Sequence, residues 1–473
     1  MVKRRLVILL PLLALVVSAC GGQTTTTSPG ESASGSAASD GASGDVVEVR
    51  WYCCLGTGED AESQLPVENR IVEEFNASHP NIHLTFEVVT YDEARDTLAT
   101  QLASGNPPDI VGPVGIGGAE AFHGEWLDLT PLIEESGFDL GRYEQAAVEL
   151  YQSGGEGQVG IPFAAYPSVM FYRKSLFEEA GLNEPPHEYG EPYVWPDGTE
   201  AEWNYDTVRE LALRLTVDEN GLDATQDGFD PTAIVQYGYE PQRDDIRGLG
   251  AYFGAGSIAS EDGETAQIPE PWAAAWKYWY DGMWNDGFIL TGPDYDSDEW
   301  AGQVDYAFFT GRVAMSTNFL WSTYGVAEGG DDWDVAAVPS YEGTTTSPLN
   351  ADTFRIMKDS AHPEEAFEVL RYFLEDASAD LLNIYAGMPA VPEEQDAFFE
   401  TYQEQFPNEV DWQVVKDSLQ YADVPNWEGY MPAYNETLDL LLTYGDKWAT
   451  TDGLDMDEEI ATLQDEIQAI WDR

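Results

Sequence analysis

Apolar side chains recur along residues 46–111 with two alternating periods, and together they predict a βαβαβ unit. Val47, Val49 and Trp51 fall at every second position, the period of a half-buried strand. Val67, Ile71 and Phe75 then recur at helical spacing until the stretch from Asn76 to Pro80 stops the helix. Period two returns at Ile82, Leu84, Phe86 and Val88. A second helical pattern, Ala94, Leu98 and Leu102, ends at Gly105 and Pro107, and Ile110-Val111 follows as a third short apolar run. Strands alternating with helices predict an α/β fold with a mostly parallel sheet, helices on both faces, and ligands at the carboxyl ends of the strands. The stretch RWYCCLGTGED (50–60) reads as such an end, and so does the run from Pro108 to Pro113. Further on, Pro363 opens a helix with Phe367, Leu370 and Leu374 inward. Asp455 and Glu458 form a capping box before Ile460, Leu463, Ile467 and Ile470.

The first residues define the compartment. Lys3, Arg4 and Arg5 precede an apolar run from Leu6 to Val17, shorter than the ~20 residues a membrane-spanning helix needs, so residues 1–20 read as a signal peptide. Val17-Ser18-Ala19-Cys20 resembles a bacterial lipobox, which makes Cys20 the expected lipidation site and the lipid the chain's only hold on the membrane. Residues 21–45 are Gly, Ser, Thr and Ala with almost no large apolar side chain, the composition of a flexible tether. From Val46 the composition is that of a folded chain long enough for two or three units at ~150 residues each.

The 87 acidic against 21 basic residues give a net charge of −66, which argues against nucleic acid or an anionic bilayer surface as partner. A neutral or cationic small ligand fits better. So large an imbalance reflects a salty or an acidic medium acting on the solvated surface.

The order of motifs resembles that of the family 1 extracellular solute-binding proteins, the sugar-capturing components of ABC importers. Leu102-Ala103-Ser104-Gly105-Asn106-Pro107-Pro108-Asp109-Ile110-Val111 resembles their helix, turn and strand signature. Gly160-Ile161-Pro162-Phe163-Ala164, leading to Phe171-Tyr172-Arg173-Lys174-Ser175-Leu176-Phe177 and Ala180-Gly181-Leu182, is similar to the family's crossing strand, with Arg173 where the family usually has Asn. Phe309-Thr310-Gly311-Arg312-Val313-Ala314-Met315 with Asn318 to Trp321, Trp333 through Pro339, and Tyr385 to Ala390 continue the likeness. The resemblance implies a two-lobed periplasmic-binding-protein-like fold of type 2, with mixed sheets flanked by helices and a hinged cleft. Carried onto this sequence it puts one lobe at 46–166 plus 332–376 and the other at 167–331 plus 377–473. It also implies a monomer that needs no cofactor, no metal and no catalysis, and that hands its sugar or oligosaccharide to ABC permease subunits.

A pyranose presents an apolar C–H face and a rim of hydroxyls, so its site needs flat aromatic rings with amides or carboxylates at the edge. The chain has 15 Trp and 25 Tyr. The candidates are Trp321 with Asn318 one helical turn earlier, Tyr166 where the chain crosses between lobes, Asn350 and Asp352 in a loop, and Trp427 and Tyr430 in a late aromatic segment. Asp109 is a further candidate, with ordering of its own turn as the rival role.

With Cys20 acylated, Cys53 and Cys54 have only each other in an oxidising exterior. The hypothesis is a disulfide between them that lays a rigid apolar patch against a sugar, while Gly56, Thr57 and Gly58 bring backbone close and Glu59 or Asp60 grips hydroxyls. The alternative is two reduced thiols on opposite sides of the strand. The acid-rich run 215–230 has its glycine at the fourth place, not the sixth, of an EF-type loop, so no metal site is read there. Gly115-Ile116-Gly117-Gly118 lacks the Lys-Ser/Thr of a phosphate cradle. Two rival functions stand beside sugar capture: a receptor for a peptide, polyamine or other non-sugar solute, and an extracellular glycoside hydrolase, for which no acid/base motif is recognisable.

Overall fold

The computed structural model describes residues 46–473 apart from 59–63, 144, 154–155, 243–245, 255, 261–262, 299, 301–303, 305 and 424–430. Cys20, the signal peptide and the tether lie outside the described residues. Among those described, no helix is long and apolar enough to cross a membrane.

The predicted βαβαβ unit is present. β1 (Val47–Cys53), α1 (Leu65–Ser78), β2 (Ile82–Val88), α2 (Tyr91–Ala103) and β3 (Ile110–Val114) follow in order, and β1 lies between β2 and β3, parallel to both. The sheet continues through β4 (Ala164–Arg173), β5 (Val217–Asp218), β6 (Ile234–Pro241), β7 (Val313–Phe319), β8 (Trp333–Ala336), β9 (Leu349–Ile356) and β10 (Met388–Pro389). Its order is β2-β1-β3-β9-β4-β7-β6-β5, with β8 and β10 also paired to β4. β9 is antiparallel to β3 and β4, and β4 is antiparallel to β7, so the sheet is mixed.

β4 is where pairing changes hands. Its residues 164–167 pair with β9 and β10, and its residues 168–173 pair with β7 and β8. It therefore belongs to both ends of the sheet, as the crossing-strand resemblance implies. At its end Arg173 explains its own departure from the family's Asn. Its fully buried guanidinium donates to the carbonyls of Gly330, Phe308 and Val326 and pairs with Asp332 at 3.3 Å.

Two apolar bodies flank the sheet. Under β1, Trp51 packs on Phe86 and Phe373 and donates its indole N–H to the Gly112 carbonyl at 2.7 Å. Toward the other end, α3 (Glu270–Trp284) brings Trp276 against Trp448 of α4 (Tyr434–Thr450), with Trp272 packed on Trp276. Burial of a large side chain contributes roughly 1.5–3 kcal/mol. Much of the tryptophan wealth noted in the sequence is spent this way: Trp51, Trp272, Trp276, Trp333 and Trp448 are fully buried, and Trp126, Trp203, Trp300 and Trp412 nearly so. The last helix, Met456–Trp471, starts as read, with the Asp455 carboxylate accepting the Asp457 and Glu458 amides. The helix from Pro363 to Glu375 also forms, with Phe367, Leu370 and Leu374 buried.

Candidate functional site

β1 and β3 run parallel, so their carboxyl ends meet at one edge of the sheet. The turns that leave them are bonded side by side: Leu55 N–H donates to the Pro113 carbonyl and Gly115 N–H to the Leu55 carbonyl, both at 3.0 Å. A Cβ on Gly118 would collide with that same Leu55 carbonyl, so the glycines at 115–118 serve close packing of two turns.

Cys53 and Cys54 form a disulfide across a cis peptide. Neither residue has exposed surface. Gly58, at φ +110°, folds back over them, and a Cβ there would stand 2.9 Å from Cys54 Sγ and 3.2 Å from the Tyr385 ring. The sulfurs are thus packed beneath their own turn, whose Gly58 lies against Tyr385, instead of lying open as an apolar patch. The apolar patch expected against a sugar is therefore covered: the glycine that brings the backbone close is what covers the sulfurs.

The turn is tied down by a residue far away in sequence. Thr57 donates its amide to Asp352 Oδ2 at 2.6 Å and its hydroxyl to the same oxygen at 2.8 Å. The Thr57 and Tyr166 hydroxyls are 2.8 Å apart, and the Tyr166 hydroxyl lies 3.1 Å from the Tyr385 carbonyl oxygen. Tyr385 in turn donates its own hydroxyl to Glu68 Oε1 at 2.6 Å. Asp352 also presses on Gly56, where a Cβ would strike its carboxylate. Burial pushes the Asp352 carboxyl up to about 6, against the opposing pull of the Thr57 bonds. Burial likewise pushes Glu68 up to about 7, with the Tyr385 bond opposing. Tyr166 and Tyr385 lie far above their ordinary values, chiefly through burial.

Trp321 stands beside this network. It lies in a single 3-10 turn, Leu320–Ser322, stacks on Phe319 with centroids 4.3 Å apart, and meets the Tyr166 ring at 5.5 Å. Its ring is only partly buried. A partly exposed aromatic ring therefore adjoins the Thr57 turn at the strand ends, and buried Tyr166 and Asp352 hold that turn in place.

Other candidates fall elsewhere. Asn318 is in β7, not one helical turn before Trp321; it is buried, and its Oδ1 accepts the Phe319 amide. Asn350 and Asp352 are in β9, not a loop. Asn350 pairs with Tyr166 in register, and the Asp352 carboxylate is occupied by Thr57. Asp109 precedes β3, at the edge opposite the disulfide turn, which also corrects the reading of Pro108 onward as a carboxyl end. Its two oxygens accept from the Arg50 amide at 2.9 Å and the Ser360 hydroxyl at 2.6 Å, so it orders the turn at a strand start. Glu59, Trp427 and Tyr430 lie outside the described residues. In the acid-rich run, Asp218 is buried and spends its oxygens on the amides of Asn220, Leu222 and Asp230.

Glu68 and Tyr385 were missed as site residues. Glu68 carried a signal: with Ile71 and Phe75 it falls on the buried stripe of α1.

The family model described as bacterial extracellular solute-binding protein matches residues 61–380. A Brucella abortus chain named as a binding protein is 24% identical over 365 residues, covering 74% of this chain and 78% of that one. An uncharacterized lipoprotein of Streptomyces antibioticus is 27% identical over 150 residues, 31% of this chain and 29% of its own. Among solved structures, the ABC substrate-binding protein of Listeria monocytogenes in complex with cycloalternan superposes with a TM-score of 0.69 at 20% identity, over 90% of this chain and 99% of that one. The GacH receptor of Streptomyces glaucescens, solved unliganded and with acarbose, gives 0.65 at 16% identity over 90% and 99%. At such identities the likeness shows the fold, which is the two-lobed mixed α/β architecture.

Proposed function

This chain belongs to the bacterial extracellular solute-binding protein family, and from that premise we propose that it captures a sugar or oligosaccharide by closure of two lobes and delivers it to an ABC importer. The observation that carries the reading is the partly exposed Trp321 ring beside the Tyr166, Thr57 and Asp352 network at the strand ends. A flat ring takes the C–H face of a pyranose, burying apolar surface of both. The named ligands of the two structural neighbours, cycloalternan and acarbose, point to the same class.

The lobes are proposed to be 46–166 plus 332–376 and 167–331 plus 377–473, with β4 crossing between them. Cys20 is proposed to carry the lipid that holds a monomer at the outer face of the membrane, at the end of the 21–45 tether; the Streptomyces antibioticus lipoprotein supports this. The role asks for capture and release, with no bond made or broken in the sugar.

A thermal-shift panel of sugars, polyols, polyamines and peptides tests the reading. A ligand at a hundredfold excess over Kd stabilises the folded state by about 2.7 kcal/mol. A rise with oligosaccharides that Trp321→Ala abolishes, while leaving the unliganded transition in place, is the expected result. A rise with amines or peptides alone removes the proposal, and turnover of an oligosaccharide by the purified chain replaces it with a hydrolase.

A further inference from the structure

The chain of oxygens that anchors the disulfide turn is one proton short when Asp352 is ionised. Asp352 to Thr57, Thr57 to Tyr166, and Tyr166 to the Tyr385 carbonyl make three consecutive oxygen contacts of 2.8, 2.8 and 3.1 Å. Each needs one hydrogen. The Thr57 and Tyr166 hydroxyls supply two, and a carbonyl supplies none. A proton on Asp352 is the third: the Thr57 hydroxyl, which donates to Oδ2 while the carboxylate is ionised, then turns to accept from it and donates to Tyr166, and Tyr166 donates to the carbonyl, while Oδ2 still accepts the Thr57 amide. The contacts join segments 295 and 219 residues apart, and they are the side-chain bonds that hold Thr57 between Gly56 and the Gly58 cover of the disulfide.

We propose that Asp352 is a positioning residue, which shuts the disulfide turn when it carries a proton and loosens the turn when it is ionised. The inference rests on reading that turn as part of the ligand site, though its mechanics need no ligand. The tyrosines facing Asp352 do not titrate with it. Tyr166 from β4, Tyr151 and Tyr385 all lie well above their ordinary values and stay neutral through the relevant range. Arg355, further along β9, sits between Trp126 and Tyr151 and feels Glu120 and Glu156. Glu68, one residue removed through Tyr385, is the second titrating carboxyl and needs its own control. Burial holds the shut-state Asp352 near 6, against an ordinary value of 3.8, so the shut form binds the proton more tightly than a solvated one. By linkage the turn opens more readily as pH rises from about 4 to about 6, by up to about a hundredfold, and levels off above that.

The disulfide reports on opening because it has no exposed surface when the turn is shut. The test uses the full chain without ligand and a water-soluble trialkylphosphine. The phosphine is oxidised to its oxide, water supplies the oxygen and two protons, and the disulfide is reduced to two thiols, which iodoacetamide traps for mass analysis. The wild-type reduction rate, divided by that of Asp352→Asn to cancel the reagent's own pH dependence, is expected to rise at least tenfold between pH 4.5 and 7. Glu68→Gln should keep that rise. Parallel wild-type and Asp352→Asn profiles overturn the proposal. Should Asp352→Asn not fold by circular dichroism, Thr57→Val decides: it deletes the middle hydroxyl, and reduction that is faster at pH 4.5 supports the latch, whereas an unchanged rate refutes it. A negative sugar panel with a positive reduction profile would sink the ligand assignment alone, and the reverse would sink only the latch.

Discussion

Replacing Glu68 by Gln should remove about 3 kcal/mol of the stability that the protein loses as pH rises from 4.5 to 8. Glu68 has no exposed surface, its Oε1 accepts the Tyr385 hydroxyl, and its Oε2 has no hydrogen-bond partner among the described residues. Burial holds the carboxyl near 7 against an ordinary 4.5. The folded state therefore binds the proton more tightly than the unfolded state. This contribution to stability is complete below about 4.5 and is lost as pH rises through about 7. The gap between 4.5 and about 7 corresponds to about 3 kcal/mol at full ionisation. The amide cannot ionise, so the variant escapes that loss, although its new N–H₂ group costs about 1–3 kcal/mol at every pH if it finds no acceptor. The diagnostic quantity is the difference between the two proteins, which should move by about 3 kcal/mol in favour of the variant between pH 4.5 and 8. Urea unfolding at half-unit steps, with the slope against denaturant checked for constancy, measures it. A difference that does not change with pH would mean that Glu68 titrates alike in both states, and the argument from its burial would be wrong.

Arg173→Met should cost about 3–5 kcal/mol in the same unfolding assay, because the buried carbonyls of Phe308 and Val326, the Gly330 carbonyl and Asp332 lose their donor together. Arg173→Lys should not restore it, since one ammonium cannot reach the carbonyls of Gly330, Phe308 and Val326 at once; full rescue by Lys would refute that account. Salt separates the two media the composition allows. With a net charge of −66, self-repulsion is screened as the Debye length falls from about 30 Å at 0.01 M to about 3 Å at 1 M, so Tm at pH 7 should climb with sodium chloride. A Tm indifferent to salt that rises only on acidification would favour an acidic habitat.

Where a segment had one wet face, its pattern could be read. The period-two run of β1, the stripe Val67, Ile71 and Phe75, and the helix ahead of Ile460 all emerged because burial on one side writes a period into the chain. β9 has no such period. It lies between β3 and β4 and is buried on both faces from Ala351 to Ile356, so Leu349-Asn350-Ala351-Asp352 looked like a polar loop. The run from Pro108 was misplaced for a related reason: a carboxylate beside a strand reads the same whether it starts or ends it, and the partners Arg50 and Ser360 decide for the turn-ordering role of Asp109. The contacts that build the candidate site join Thr57 to Asp352 and Glu68 to Tyr385, pairs 295 and 317 residues apart. No local period encodes a pairing of that span. The cysteine pair was legible as a disulfide from its compartment, but its burial depended on Gly58 and Tyr385, which composition does not connect.

The handover of pairing along β4 falls between Pro167 and Ser168, and a proline has no amide hydrogen to contribute to a ladder. On the far side of that peptide the Ser168 amide reaches the Pro348 carbonyl, and the Ser168 and Ser347 hydroxyls touch at 3.2 Å. The change of partners along β4 thus coincides with the one residue of 164–173 that brings no amide hydrogen to the sheet.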